Sequence, residues 1–541
     1  MPPRLRHWFA SPPVPVPRPA PGWRQSGCRL PLEYARRIAR GYYPGRSPDI
    51  IFVPREPNFV GEFDYTTHGG PWAYLQRVPL VLFGPGFIRP RGEISLDREV
   101  TVADLAPTVA ELLDAPFPGR RPGRPIHEAL VPEEERVGKP KVVLTLVWDG
   151  GGTDVLETWP GSLPHLRRLI ERGTSVSDAV VGSAPSVTPP VHTTIGTGAW
   201  PAEHGIVDLT QRDGDRVLDS FGMKESNFSP RYMELTTLAD IHDLETNNRA
   251  EIGMLGHRGW HLGMMGKGSY LPGADKDIAA VIDRTTGRLV TGPSWYELPG
   301  YLDDVSGLEE DIRAADTADG RSDSKWMGRV PLEHPGQAQY TPAWTLYQTR
   351  LAKAILAGEE FGEDAVPDMF FVNYKQIDDV GHFYNMLGPE MREILRYSDA
   401  ALGELTAWLD SRVGEGQWVL AFTADHGESP EPEAVGAWPI DTATVQQSMA
   451  RHFGVDVDAL FQNKRTMGFW VDHDFLRERG IALGELANFL LGYRIRDMVE
   501  TPSDVPEQYR ERLREPVFQA AWPGDQTPEI WECARQRAAQ S

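Results

Sequence analysis

Three apolar runs, each followed closely by an acidic residue, constrain this chain more than any other feature. Val142 to Trp148 runs directly into Asp149-Gly-Gly-Gly. Phe370-Phe-Val-Asn-Tyr374 leads into Asp378-Asp-Val-Gly-His382, and Trp418-Val-Leu-Ala-Phe422 into Thr-Ala-Asp425-His426-Gly-Glu. A continuous apolar run of this kind reads as a strand buried on both faces, the environment of a parallel sheet. Between the second and third runs, Met391 to Leu409 has the spacing of a long amphipathic helix. Strand, polar group, helix, strand, polar group predicts an α/β fold with a largely parallel central sheet. Sites in such folds gather at the C-terminal ends of the strands.

The rest of the chain divides by composition. Residues 1–30 read as a Pro-rich extended arm, with order expected near Pro31 and a short helix through Ala39. Residues 31–130 hold two short buried strands, Asp49 to Val53 and Val78 to Phe83, and a helix over Thr101 to Leu113. Residues 131–140 are a polar linker, and 141–208 a first core segment with a helix over Leu163 to Glu171. Between 209 and 340 the periodicity weakens while Gly, Asp and Trp accumulate, which reads as an inserted cap over the site. Residues 341–454 return to the core pattern, and 455–541 read as a C-terminal helical segment of unassigned role.

At 541 residues the chain can bury a large core. A formal charge of −22 argues against a nucleic-acid backbone as the resting partner. It does not exclude a small phosphate substrate, because bound cations reverse the local field. Cys28 and Cys533 lie near opposite ends and read as two unpaired thiols in a reducing compartment. Met1 to Gly22 has no apolar segment of the signal-peptide kind, and no run of eighteen apolar residues occurs. The expected chain is cytoplasmic and has no membrane span; its oligomeric state is not legible.

Aspartate and histidine are ligands suited to zinc, with manganese or another divalent ion also accommodated. Asp378 and His382 are four residues apart, a spacing by which one helical turn grips one ion. Taken singly, Asp149 could cap a helix, His382 could be an ordinary histidine and Thr188 a turn hydroxyl. Jointly, with Asp425 and His426 beyond another strand, they require several independent coincidences, so a metal-dependent site is the better reading. His192 and His204 need no ligand role and are read as supporting.

These segments resemble the alkaline phosphatase superfamily, most closely its nucleotide pyrophosphatase/phosphodiesterase branch. The resemblance is carried by Ser186-Val-Thr188-Pro-Pro-Val-His192, Thr197-Gly198, Pro201 and His204-Gly-Ile-Val-Asp208, by Asp378 to His382 with Gly388-Pro389, and by Asp425-His426-Gly427. That family carries a further histidine ligand downstream, in a His-Gly segment followed by a Val-Pro strand and a helix. Nothing of that kind follows Glu428. The matching block is instead Thr66-Thr-His68-Gly-Gly-Pro, Val78-Pro-Leu-Val-Leu-Phe-Gly-Pro-Gly86 and Asp104 to Leu113, as in a circular permutation.

The resemblance implies an α/β three-layer sandwich with an inserted cap. It implies two divalent ions, most readily zinc, one held by Asp378, His382 and His68, the other by Asp149, Asp425, His426 and Thr188. Thr188 would be the nucleophile, forming a phospho-threonine that water then hydrolyses. The expected function is therefore hydrolysis of phosphodiester or pyrophosphate bonds of a small molecule. A phosphomonoesterase, a phosphonate hydrolase or a non-catalytic metal-binding protein stays open as an alternative. Where the family's phosphodiesterases place a phosphate-binding asparagine this chain has Leu209, so Lys375 and Lys267 are the candidate substrate-binding donors.

Overall fold

The computed structural model describes residues 22–62, 65–222, 228–499 and 505–540. Its centre is a nine-stranded sheet among the described residues. In chain order these strands are β1 (Leu80–Phe83), β2 (Gly92–Ile94), β3 (Val142–Trp148), β4 (Thr174–Val176), β5 (Ile252–Gly256), β6 (Ile278–Ile282), β7 (Leu289–Val290), β8 (Asp368–Tyr374) and β9 (Trp418–Thr423). Across the sheet they run β7-β6-β5-β8-β3-β9-β1-β4-β2. The five strands from β6 to β9 are mutually parallel, whereas β1 runs antiparallel to β9.

The three apolar runs are the three middle strands, and both faces of them are covered. Leu144, Leu146 and Trp148 of β3 enter one hydrophobic core, while Val143 and Val147 enter the other. This alternation is the pleat of a strand sandwiched between two helical layers. Asp368 to Tyr374 lie opposite Val142 to Trp148 in register, and Trp418 to Thr423 opposite Val142 to Val147. The C-terminal ends of β3, β8 and β9 therefore finish level, at one edge. Because β1 is antiparallel to β9, with Leu80 paired to Thr423, the residues preceding β1 arrive at that same edge.

Three expectations are corrected. Part of the stretch 209–340, read as a cap, forms β5, β6 and β7 of the central sheet. Ile-Gly-Met-Leu-Gly and Ile-Ala-Ala-Val-Ile are short, and their Gly and Ala weaken the apolar signal, yet both strands are fully buried. Residues 455–541, read as helical, contribute Phe461–Arg465, Gly468–Val471 and Phe518–Pro523 to a second, antiparallel sheet completed by Ile50–Pro54. That sheet has its own core, including Phe52, Phe469 and Phe518. Of the Pro-rich arm, residues 1–21 lie outside the described residues, but Trp23–Cys28 is a helix rather than extended chain.

That helix also overturns the reading of the cysteines. It packs beside the last helix, Thr527–Gln540, and joins it through a Cys28–Cys533 disulfide with Cα atoms 5.4 Å apart. Distance along the chain concealed the pairing, since the two ends meet only after the second sheet is built. A disulfide closing a loop of 505 residues removes much of the unfolded chain's freedom, and about 6 kcal/mol is the upper size the chain-entropy argument gives. Cys28→Ser should therefore lower Tm by a few degrees relative to the oxidised protein, with no further loss on adding dithiothreitol. Scanning calorimetry of both proteins, with and without reductant, measures this.

Candidate active site

The site is assembled at the shared edge of β3, β8 and β9. Asp149 follows β3 directly, and its backbone N–H donates to Tyr374 O at the end of β8. Gly150, at φ 70°, turns the chain away; a Cβ there would lie 2.8 Å from the Asp378 Cα, so only glycine fits. Beyond β8 a helix spans Gln376–Tyr384, which sets Asp378 and His382 on one face. Asp425 and His426 follow β9. Thr188 opens the helix Thr188–Thr197, whose next two residues are prolines, tolerated there because first-turn N–H groups have no helical partner. His68 comes in on the segment that precedes β1.

The histidines are fixed in a common manner. Nδ1 of His68, His382 and His426 faces a backbone carbonyl: Ser186 O at 2.9 Å, Thr66 O at 2.5 Å and Gly427 O at 3.1 Å respectively. Nε2 of each then points at carboxylates. His68 Nε2 and His382 Nε2 are both 3.3 Å from Asp378 Oδ1. His426 Nε2 lies 3.5 Å from Asp149 Oδ1 and 3.3 Å from Asp425 Oδ2. Anchoring one ring nitrogen on the backbone to aim the other is how metal-binding imidazoles are held.

These atoms are buried and incompletely satisfied. Asp378 Oδ1, Asp425 Oδ2 and His426 Nε2 have no hydrogen-bond partner. Orphaned buried acceptors facing imidazole nitrogens fit divalent cations, and the mixed N/O donor set suits zinc. Three groups of possible ligands emerge at this edge, Asp149-Asp425-His426, His68-Asp378-His426-Glu428 and Asp149-His192-His261, each with its ligand atoms within 4.8 Å of one another.

Charge in the site is strongly coupled. Burial pushes Asp425 up, and neighbouring Asp149 pushes it further, to about 7. Burial opposes the charged form of His426, but Asp425 and then Asp149 raise it to about 9. His68 goes the other way, to about 3, through burial and then the neighbouring His426. Burial disfavours the charged forms of Asp149 and Asp378, yet the Lys375 ammonium beside them holds both well below the usual carboxylate range.

Lys375 is the centre of that coupling. Its Nζ donates to Asp149 Oδ1 at 2.6 Å and lies 2.5 Å from Asp378 Oδ2 and 3.2 Å from Thr188 Oγ1. Lys267 is not brought to the site. Its ammonium donates to Met233 O and its backbone N–H to Asp240 Oδ1. Leu209 lines the cavity over Thr188, a space of about 630 Å³ that also borders His68, Lys375, Asp378 and His382.

Several residues in and around the site were not read from the sequence. Glu428 is fully buried with both carboxylate oxygens unpartnered, and its carboxyl is pushed well up by burial and then by Asp378. Asn373 donates from Nδ2 to Asp149 Oδ2 at 2.9 Å, orienting it. His192, read from the sequence as supporting, sits with Nε2 3.0 Å from the same Asn373 amide. Arg258 and Arg284 line the cavity, and Arg284 Nη2 donates to Asp379 Oδ1 at 2.8 Å. The signal available for Arg284 was its place just after the short apolar run of β6.

The sequence model of the type I phosphodiesterase/nucleotide pyrophosphatase family matches residues 143–538. The chain belongs to this family. It is therefore a member of the alkaline phosphatase superfamily. Among curated relatives, it is 23% identical to alkaline phosphatase PafA of Elizabethkingia meningoseptica over 372 residues, 60% of this chain and 66% of that one. It is likewise 23% identical to alkaline phosphatase PhoV of Synechococcus elongatus over 341 residues, 55% and 61% of the two chains. The chain thus spans just under two thirds of these relatives' length. The crystal structure of wild-type PafA superposes with a TM-score of 0.55 at 19% identity, covering 71% of this chain and 85% of PafA. The fold is that of an alkaline phosphatase, a mixed sheet with a parallel centre between two layers.

Proposed function

We propose that this family member hydrolyses phosphate esters through a phospho-threonine at Thr188. The observation that carries this reading is the position of Thr188 Oγ1, 3.2 Å from Lys375 Nζ at the edge of a carboxylate–imidazole cluster that fits divalent ions. Asp378, His382 and His68 would hold one ion, with Glu428 as a further oxygen donor; Asp149, Asp425, His426 and Thr188 would hold the other. Bound ions would supply the positive charge that makes an alcohol hydroxyl competent at neutral pH and that offsets charge on the leaving oxygen. Thr188 Oγ gives up its proton to solvent and forms a bond to phosphorus as the bond from phosphorus to the leaving oxygen breaks, and that oxygen takes up a proton from solvent as it departs. Water then cleaves the Thr188–phosphorus bond, releasing phosphate and regenerating the hydroxyl. Lys375 would offer protons to the phosphoryl oxygens.

In the same reading, the block that carries His68 and β1 stands where the family's C-terminal segment does, a permuted order. The antiparallel pairing of β1 with β9 supports it. The Cys28–Cys533 bridge favours an oxidising compartment over the cytoplasm.

The lining of the cavity bears on the class of ester. The expectation of diester hydrolysis came with the family resemblance, with Lys375 and Lys267 as the only candidate donors for the substrate. Lys375, Arg258 and Arg284 all border the cavity, a set better matched to the two negative charges of a monoester. Comparing p-nitrophenyl phosphate with bis-p-nitrophenyl phosphate and the thymidine 5′-monophosphate p-nitrophenyl ester tests this on metal-loaded protein. We expect kcat/KM for the monoester to be higher by about tenfold or more, the worth of one charge-assisted contact. Arg284→Ala should narrow that ratio; a faster diester in the unaltered protein would restore the sequence-based expectation.

A further inference from the structure

Away from the catalytic edge, three carboxylates meet on one side of the molecule. Asp243 stands in the last turn of the helix Leu238–Glu245, while Asp275 and Asp277 lie on the segment that enters β6. One oxygen from each lies within 4.8 Å of the other two. Asp243 is 3% exposed and Asp277 7%, so two of the three have left water. Asp243 Oδ1 is buried with no hydrogen-bond partner.

Among the described residues no cationic side chain forms an ion pair with them. Burial first, then Asp275 and Asp240, raise Asp243 to about 7. Burial, then Asp240, Asp243, Asp275 and Glu251, push Asp277 well up. The adjacent Lys276 turns aside to donate to Pro293 O at 2.6 Å. Asp243 also stands where the carbonyl end of a helix already disfavours negative charge. Buried, like-charged oxygens without a cation cost free energy that an apolar replacement would avoid.

Asn248 ties the two segments together. Its backbone N–H donates to Asp243 O at 2.9 Å, and its Nδ2 to Gly273 O at 3.0 Å. Its Oδ1 is a further buried oxygen with no hydrogen-bond partner. The clustered side chains offer only oxygen, since the one imidazole on the helix, His242, turns away with its Nε2 on Pro367 O at 2.7 Å. Hard cations of the calcium type select that chemistry, whereas the catalytic edge mixes nitrogen with oxygen.

We infer that Asp243, Asp275 and Asp277 form a calcium-type cation site that clamps the helix Leu238–Glu245 to the start of β6. The site is separate from the catalytic ions and does not depend on the proposed reaction. Calcium chloride titrated into zinc-loaded protein, followed by calorimetric titration and by Tm, is the test. We expect one equivalent of calcium bound beyond the zinc content, and a Tm that rises by several degrees as calcium saturates. Asp243→Asn combined with Asp277→Asn should lose the calcium-dependent rise with zinc content unchanged, and without calcium should melt no lower than the unaltered protein. Asp275→Asn, at an exposed position where misfolding is not at issue, should raise the calcium concentration at half-effect by about tenfold or more. Absence of calcium binding by the unaltered protein, or the same response in Asp275→Asn as in the unaltered protein, would overturn the inference.

Discussion

Thr188→Ala should lower kcat by about three orders of magnitude or more while leaving bound metal nearly intact. The loss is large because no other hydroxyl can take the position. Thr193 Oγ1 is committed to Pro189 O at 2.8 Å and Thr194 Oγ1 to Pro190 O at 3.0 Å, both along the same helix. Ser186 Oγ faces Leu75 O. Metal should stay because Asp149, Asp425 and His426 are untouched by the change. Covalent catalysis makes a sharper demand than rate alone: acid quenching of the unaltered enzyme with labelled substrate should trap phosphate on Thr188 and none in the variant. Turnover within tenfold of normal would remove Thr188 from the reaction.

His68→Ala should cost one equivalent of metal and most of the activity. Its Nε2 lies 3.3 Å from Asp378 Oδ1, and its ring stacks on that of His426 with centroids 3.4 Å apart. Without it, Asp378 and His382 must share the ion with Glu428 alone. Elemental analysis after gel filtration, with Thr188→Ala as the control that keeps both ions, separates a lost ligand from a lost nucleophile. Unchanged metal content in His68→Ala would end both the ligand assignment and the permuted reading. Removing residues 1–130 is a harsher version of the same experiment and should abolish folding. It strips β1 and β2 from the central sheet and exposes the flank of β9, whose Leu420, Ala421 and Phe422 are 0% exposed in the intact fold.

The local frames of the site were legible because their physics is local. A strand covered on both faces has to be apolar nearly throughout, as Val142–Trp148, Phe370–Tyr374 and Trp418–Phe422 are, with Thr145 and Asn373 the exceptions. A chain leaving such a strand for a polar edge places its first acidic residues there, and the spacing of Asp378 and His382 is one helical turn. So Asp149, Asp378, His382, Asp425 and His426 stand at one edge where the sequence pattern puts strand-end polar residues, while Thr188 was singled out only through the resemblance. His68 needed the additional pattern of the strand and helix that follow it.

What the sequence could not decide depended on partners distant along the chain. Ile252–Gly256 and Ile278–Ile282 carry too few large apolar residues to announce themselves, and become strands because β8 offers a buried edge to extend. Arg284 reaches the cavity only because β6 takes its place in that sheet. Cys28 meets Cys533 only once the first and last helices pack beside each other. Lys375 and Lys267 show the difference most directly: both are buried lysines flanking apolar segments, indistinguishable by composition. One is drawn between Asp149 and Asp378 by two converging negative charges; the other is held by Met233 O and lies away from the cavity. Local sequence determined which residue types stand at strand ends, because burial and helix spacing are short-range demands; the sheet's long-range pairing decided which charges face one another.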